Sequence, residues 1–250
     1  EGNISGLSFD ANATAMRLAA GAITSRISNS GSISVGSTSD FATETTALQI
    51  DAGASVPSLT NNGVILATAI GTTVNTTAIR DLSGSLNTIN NTRLIQATLT
   101  PNADGDPTTG TATAIDVSAN TTGVTLVQDG VVAIGSGIDT DADGVPDVFE
   151  PAITGAVRFG SGNDIFDVRN GAVRGDITFG AGADQLLISG GAIVSGALAD
   201  SDGLLDITVS NGTLAAGQLS PLNISNLTIG TDGQLLVTLD PANGNNSGFV

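Results

Sequence analysis

The sequence contains no Cys, His, Trp or Tyr, and all seven of its basic residues are Arg. Without His it cannot form a Ser-His-Asp catalytic triad. Without Cys or His it has no ligand cluster for zinc, and without Lys it lacks the residue that a P-loop places on nucleotide phosphates. The lack of Cys is compatible with an oxidising exterior, where a free thiol would be a liability.

Positive charge is also scarce, and the formal net charge is -17. Nucleic acids and anionic membranes attract proteins through basic surfaces, so we expect neither as a partner. No run of 18 apolar residues could span a membrane, and no secretory signal peptide is visible. The sequence starts at Glu1 without Met and stops at Val250 in a strand-like segment. We therefore expect a fragment or a processed product.

Aromatic residues make up only 3% of the chain, although 40% of its residues are hydrophobic. A large globular core uses aromatic volume, whereas stacked Val, Ile, Leu and Ala can fill a thin coil. Because the apolar residues alternate with polar ones, they can bury enough surface to offset chain entropy. The composition favours an elongated solenoid over a disordered chain.

A pattern with a period of about 20 residues runs three times between Gly155 and Leu214, which is too long for a heptad and too short for a helix pair. Its alternating apolar runs, separated by Gly, Asn and Asp, predict rungs of a parallel β-helix, which bury their apolar faces only by stacking. The repeat predicts four rows of stacked side chains: Val157, Ile177 and Leu198; Phe166, Leu186 and Leu205; Val168, Ile188 and Ile207; Val173, Ile193 and Leu214.

A looser repeat precedes this region. Its apolar residues recur at spacings of 32, 31 and 36 residues, at Met16, Leu48, Ile79 and Ile115. Each is followed by a second strand signal that opens on a polar turn. Asn29, Asn61 and Asn90 lie in three of these turns and could stack as an amide ladder. The frequency of Asn in turns favours the simpler interpretation, that they are ordinary turn residues.

The acidic segment from Ile138 to Pro151 has the spacing of a twelve-residue calcium loop. Gly144 allows the sharp bend, and Pro151 blocks the helix that would follow in an EF-hand. The run resembles the calcium loops of thrombospondin type-3 repeats. An empty acidic turn is the alternative. The predicted calcium ligands are Asp139, Asp141, Asp143, the Val145 carbonyl, Asp147 and Glu150.

Two further acidic groups are weaker candidates. The segments FGSGND and FGAGAD, which contain Asp164 and Asp184, resemble the core of RTX calcium repeats, but their period of about 20 differs from the nine residues of that family. Structural corners beside inward-facing Phe159 and Phe179 are the favoured interpretation. The segment from Asp200 to Asp206, which includes Asp202, could bind a cation or act as a catalytic carboxylate cluster, but a solvated face is favoured.

The last stretch of the sequence, from Leu222 onward, resembles the passenger of a Gram-negative type V autotransporter. Residues 233–241 have the form Gly-Xaa-Leu-Xaa-Val-Xaa-Leu-Asp-Pro, which is similar to the start of the folding cap in that family. The resemblance implies a right-handed parallel β-helix, exported to the cell surface through a C-terminal outer-membrane barrel that is not in this sequence. It also implies a stalk, adhesin or coat protein that is extracellular and could self-assemble or bind a surface glycan.

The sequence therefore predicts an all-β chain folded as a right-handed parallel β-helix, a solenoid of about eight to ten rungs. We divide it into irregular rungs (1–138), an acidic calcium-type loop (139–151), regular rungs (152–216) and the start of a cap (217–250). We expect a non-catalytic structural or adhesive protein that is stabilised by calcium. The alternative is a polysaccharide lyase or glycosidase that combines surface carboxylates with an Arg such as Arg158 or Arg174.

Overall fold

The computed structural model describes residues 2–103, 106–130, 150–218 and 221–237, and every regular element in these ranges is a β-strand. None of these residues belongs to a helix of the length and apolarity needed to cross a membrane. In chain order the strands are β1 (Asn3–Phe9), β2 (Ala13–Leu18), β3 (Ile27–Asn29), β4 (Ser32–Thr38), β5 (Glu44–Ile50), β6 (Ser58–Asn61), β7 (Val64–Ile70), β8 (Asn75–Asp81), β9 (Thr88–Asn91), β10 (Leu94–Thr100), β11 (Ala112–Asp116), β12 (Thr125–Gln128), β13 (Ala152–Thr154), β14 (Ala156–Arg158), β15 (Ile165–Val168), β16 (Ala172–Arg174), β17 (Ile177–Thr178), β18 (Gln185–Ile188), β19 (Ala192–Gly196), β20 (Leu198–Ala199), β21 (Asp206–Ala216) and β22 (Asn226–Val237).

The strands form three parallel ladders. The first arm contains β1, β4, β7, β10, β13, β16 and β19, and the second arm contains β3, β6, β9, β12, β15 and β18. A middle sheet contains β2, β5, β8, β11, β14, β17 and β20. The long strand β21 pairs with β18 and then with β19, so it joins the two arms, and β22 pairs along β21. The chain visits first arm, middle sheet and second arm in turn and then returns one strand further along. The predicted all-β, parallel solenoid architecture is confirmed.

Apolar side chains on alternate positions of the strands stack inside this coil. In the first arm Ile33, Ile65, Ile95 and Ile153 follow one another in register, and none is more than 4% exposed. Full burial of such a side chain stabilises the fold by about 1.5–3 kcal/mol. The core is therefore built one rung at a time, and each rung supplies the surface that covers its neighbour.

The stacking predicted for the 20-residue repeat is right in one row and wrong in part of the other three. Val157, Ile177 and Leu198 pair as predicted. In the other three rows the inward partners are Ile207 for Leu186, Val209 for Ile188 and Val194 for Val173. Three predicted partners therefore lie elsewhere in the register: Leu205, Ile207 and Ile193.

Ile193 is displaced because the turn between β18 and β19 contains one more residue than the turn between β15 and β16. Ile188 pairs with Val168, yet the residue paired with Ala172 is Ile193, so the later turn is one residue longer. Gly190 and Gly191 both have positive φ in this turn, at 60° and 81°. Only Gly adopts such a pair of conformations without strain, so the glycines accommodate the additional residue without shifting the strands.

Candidate functional site

The predicted calcium segment lies between β12 in the second arm and β13 in the first arm. At the corner between the second and first arms, two residues, 62–63, separate β6 from β7, whereas residues 129–151 stand in the sequence between β12 and β13. The two stems of the insertion lie side by side: a Cβ placed on Gly130 would be 3.2 Å from the Pro151 Cδ. Both stems are held by the preceding rung, because the Asp129 amide donates to the Asn91 carbonyl and the Ala152 amide to the Arg93 carbonyl.

Most of the predicted ligands fall outside the described residues, which stop at 130 and resume at 150. These are Asp139, Asp141, Asp143, Val145 and Asp147. Glu150 lies within them, is half-buried and precedes β13 by one residue, Pro151. The calcium site therefore stays a prediction. The structure adds that the residues flanking this segment, Gly130 and Pro151, lie next to each other.

A ladder of buried side-chain amides lies at the same corner. The Asn29 Nδ2 donates to the Asn61 Oδ1 at 2.8 Å, and the Asn61 Nδ2 donates to the Asn91 Oδ1 at 2.8 Å. Asn91 continues the ladder to the Gln128 Oε1 at 3.3 Å, and Gln128 donates in turn to the Asn170 carbonyl at 2.9 Å. The first four residues are at most 6% exposed, so these hydrogen bonds replace water for groups that the core would otherwise leave unsatisfied.

The ladder shows that the interpretation of Asn29 and Asn61 as ordinary turn residues is wrong. It also corrects one of the three residues named as possible ladder members. Asn91, not Asn90, carries the ladder, because it lies two residues after the inward-facing Ile89 and a strand alternates its faces. Gln128 was missed, although it lies two residues after the buried Leu126. The sequence signal that identifies both residues is their spacing: each lies two positions after a buried apolar residue, so its side chain points to the same, inner face of the strand.

Asp164 and Asp184 are buried in the second arm, at 0% and 1% exposure. The Asp164 Oδ1 accepts the Val124 amide at 2.7 Å, and the Asp184 Oδ1 accepts the Asp164 amide at 2.7 Å. Leu205 takes the equivalent place in the next rung, where it is fully buried. The two carboxylates therefore occupy core positions, each satisfying a backbone amide of the rung before it.

Burial raises the pKa of Asp164 to about 6, and the negative charge of Asp184 adds to the rise. Burial also raises the pKa of Asp184, with contributions from Asp200 and Asp202. The Oδ2 atoms of Asp164 and Asp184 are buried without a hydrogen-bond partner, which is the physical reason the charged forms are disfavoured. Phe159 and Phe179 lie in the same two corners. Their side chains are buried, and their ring centroids are 5.1 Å apart in a stacked arrangement. The predicted inward position of both Phe residues is confirmed.

In the third acidic candidate, the segment from Asp200 to Asp206, the carboxylates accept hydrogen bonds within and between turns. The Asp200 Oδ2 accepts the Gly203 amide at 2.8 Å, and Asp202 accepts the Leu204 amide at 3.1 Å and the Gly182 amide at 2.9 Å. Asp206 accepts the Asn226 Nδ2 at 3.3 Å. Asp200 and Asp202 therefore hold the backbone of a corner, as structural turn residues do.

Arg158 and Arg174, the two Arg residues of the enzyme hypothesis, lie on different sheets. Arg174 ends β16 in the first arm, whereas Arg158 ends β14 in the middle sheet. Arg158 lines a polar cleft of about 240 Å³ on the outside of the middle sheet, with Glu44, Arg80 and Asp116. There the Arg80 Nη1 lies 3.4 Å from the Glu44 Oε2, and Asp116 pairs with Arg158 in register. This cleft therefore brings two carboxylates and two Arg side chains to one surface of the middle sheet.

Within the described ranges, no three or more His, Cys, Asp or Glu side chains are grouped so that they could hold a metal ion. Comparison with known proteins identified no matching family model, no similar curated protein and no similar solved structure.

Proposed function

We propose that this chain is a non-catalytic structural or adhesive protein of a Gram-negative cell surface, folded as a right-handed parallel β-helix of eight to ten rungs. In this proposal it is the passenger of a type V autotransporter, and calcium bound between Asp139 and Glu150 stabilises it. The observation that carries the proposal is the acidic segment between β12 and β13, at the corner between the second and first arms where the other described rungs are joined by only two or three residues.

The position of the insertion supports a clasp for the ion. The stems at Gly130 and Pro151 adjoin the end of the amide ladder, because the Asn170 Nδ2 donates to the Gly130 carbonyl at 2.7 Å and the Asn91 Nδ2 lies 3.4 Å from the Ala152 carbonyl. An ion bound by this segment would fix the junction between the longer rungs before it and the regular rungs after it. Extracellular modules bind calcium with Kd values of roughly 10⁻⁴ to 10⁻³ M, which suits a surface protein.

Calcium is expected to raise the melting temperature. With a Kd of about 3 × 10⁻⁴ M, 10 mM calcium would stabilise the folded state by about 2 kcal/mol, because the ion binds the folded loop and not the open chain. For a chain of this size that corresponds to a rise of about 4–8 °C. Circular dichroism melts in EDTA and in calcium measure the shift.

Asp143→Asn is the matched variant for this experiment, because it removes one ligand charge from the centre of the loop while preserving its shape. Its melting temperature in EDTA should equal that of the wild type, and its response to calcium should be reduced. Magnesium at the same concentration is the ionic-strength control. Equal melting curves for the wild type in EDTA and calcium contradict the proposed site.

The competing function is an enzyme that cleaves polysaccharides, and the cleft around Glu44, Arg80, Asp116 and Arg158 is the observation that favours it. Incubation with a panel of neutral and acidic glycans, followed by assays for reducing ends and unsaturated products, separates the two functions. The structural role predicts no turnover. Cleavage by the wild type that Asp116→Asn abolishes would replace the structural proposal with a catalytic one.

A further inference from the structure

The cleft on the outside of the middle sheet, of about 240 Å³, is lined only by polar and charged residues. It crosses four neighbouring strands, β5, β8, β11 and β14, so it runs along the solenoid rather than along one strand. Two of its lining residues are carboxylates, Glu44 and Asp116, and two are arginines, Arg80 and Arg158. The formal charges of the lining residues therefore cancel.

One row of the cleft is already hydrogen-bonded. The Asn75 Nδ2 donates to the Glu44 Oε1 at 2.9 Å, and the Asn75 Oδ1 accepts the Thr111 hydroxyl at 2.9 Å. The Arg80 Nη1 lies 3.4 Å from the Glu44 Oε2. Both oxygens of Glu44 therefore have partners, and this row is a fixed edge of the cleft.

The other row has groups without partners. Asp116 pairs in register with Arg80 on one neighbouring strand and with Arg158 on the other. Its Oδ1 accepts the Ser118 amide at 3.1 Å and the Ser118 hydroxyl at 2.6 Å, but no described residue donates to its Oδ2. Among the described residues, Arg158 also has no hydrogen bond or ion pair. A free acceptor and a free charged donor therefore lie on adjacent strands, whose spacing is roughly 4.8 Å.

This arrangement suits neighbouring hydroxyl groups. A hydroxyl both donates and accepts, so one can donate to the Asp116 Oδ2 while the next accepts from Arg158. Thr77 and Thr113, which pair in register between the two rows, add two hydroxyl side chains to the lining. Because the charges of the cleft cancel and the chain carries a net charge of -17, a polyanion gains no attraction here.

A peptide fits this cleft less well than a sugar does. Peptides gain affinity by pairing with a free strand edge or by anchoring apolar side chains in pockets. The four strands under the cleft are each paired on both sides, so they present no free edge. The lining residues include no apolar side chain that could form an anchor pocket.

We propose that this cleft is a binding site for a neutral saccharide, in which Asp116 and Arg158 hydrogen-bond to neighbouring hydroxyls of the sugar. The cleft is smaller than the roughly 300–1,000 Å³ of sites that enclose a drug-sized ligand, so it fits one or two units of a longer glycan. The proposal gives the adhesive role above a ligand class and rests on that role.

The same contacts favour binding without cleavage. Glycoside hydrolysis uses a pair of carboxyl groups, one of which donates a proton to the leaving group. In this cleft both oxygens of Glu44 already accept hydrogen bonds, from Asn75 and Arg80. Only Asp116 has an oxygen that is free to meet the sugar.

Saturation-transfer difference NMR with the 250-residue protein tests the proposal. The probes are three neutral disaccharides, maltose, cellobiose and lactose, and one acidic disaccharide, digalacturonate. A few solvent-accessible hydrogen bonds give a Kd of roughly 10⁻³ M, which this method detects. We expect saturable binding of at least one neutral disaccharide and weaker binding of digalacturonate.

Two variants locate the binding site. Arg158→Ala removes the free donor, and Asp116→Asn replaces the free carboxylate oxygen while its Oδ1 can still accept from Ser118. Each should weaken binding of the neutral disaccharide at least about fivefold. Arg174→Ala is the matched control, because it removes another exposed Arg, from the first arm, and should leave the affinity unchanged. Circular dichroism melts check that all three variants fold as the wild type does.

Three results overturn the proposal: no saturable binding of any of the three neutral disaccharides, equal affinity of the wild type and Arg158→Ala, or tighter binding of digalacturonate than of the neutral sugars. None of them touches the calcium-dependent melting that tests the proposed function. Cleavage of a disaccharide by the protein would overturn this proposal and the non-catalytic function together, so the two failures can be told apart.

Discussion

Replacement of Asn61 by leucine is expected to cost roughly 3–5 kcal/mol of folding stability, the largest loss for any single side chain considered above. Asn61 is fully buried and is bonded on both sides: it accepts from Asn29 and Gly63, and it donates to Asn91 and to the Leu94 carbonyl at 3.1 Å. Leucine has similar volume but leaves several of these polar groups buried without partners. Urea unfolding followed by circular dichroism measures the loss.

Two comparisons separate the ladder from a general effect of mutation at this corner. Asn62→Ala changes the exposed neighbour, whose Oδ1 accepts a solvent-accessible hydrogen bond from Thr92, and should cost less than about 1 kcal/mol. Asn61→Asp keeps the acceptor but places a carboxylate oxygen against the Asn91 Oδ1 and the Leu94 carbonyl. It should be more damaging than leucine at pH 7 and partly recover at low pH, where a protonated carboxyl can donate. Equal stability of Asn61→Leu and Asn62→Ala would contradict a structural role for the ladder.

The second large effect is a stability that falls as pH rises from about 4 to 6. The Asp164 pKa is raised in the folded protein from its ordinary value of 3.8 to about 6. Below pH 3.8 the group is protonated in both states. Between pH 4 and 6 the unfolded chain gives up its proton first, so the folded state is progressively destabilised. Above pH 6 the penalty is constant at about 3 kcal/mol.

Asp164→Asn is expected to flatten this dependence, because the amide stays neutral while its Oδ1 can still accept the Val124 amide. The difference in unfolding free energy between pH 4 and pH 7, measured by urea titration, should shrink by about 3 kcal/mol relative to the wild type. Asp206→Asn is the control, because Asp206 is a half-buried carboxylate at the start of β21, two rungs away from Asp164. It should leave the difference in unfolding free energy between pH 4 and pH 7 unchanged. A pH profile of Asp164→Asn that superimposes on the wild type would mean that the buried carboxyl carries no such penalty.

The architecture could be predicted from the sequence because apolar alternation and polar corners are local signals. Ile33, Ile65 and Ile95 stack at the regular positions that such alternation predicts. The errors occurred where two residues competed for one inward position. Leu205 and Ile207 are both apolar and both buried, and only the register shows that Ile207 stacks on Leu186.

The buried polar positions were harder to predict, because composition treats Asn and Asp as turn residues. The inward orientation of Asn91 follows from its distance to Ile89, so the signal was present in the sequence. For Asp164 the residue type indicates a solvated corner, and its burial arises from the neighbouring rungs, where Val124 and Asp184 fill the equivalent places. A single repeat cannot reveal such a contact, because it joins residues about 40 positions apart along a solenoid of this period.

Direct calcium binding to the metal-free protein is the measurement that tests the proposed calcium-stabilised scaffold most directly. Isothermal titration calorimetry of EDTA-treated, desalted protein should show one ion per chain with a Kd of roughly 10⁻⁴ to 10⁻³ M. Asp143→Asn should weaken this binding, while Asp164→Asn, outside the loop, should leave it unchanged. No heat of binding up to about 10 mM calcium, or equal affinity in the wild type and Asp143→Asn, would contradict the calcium clasp.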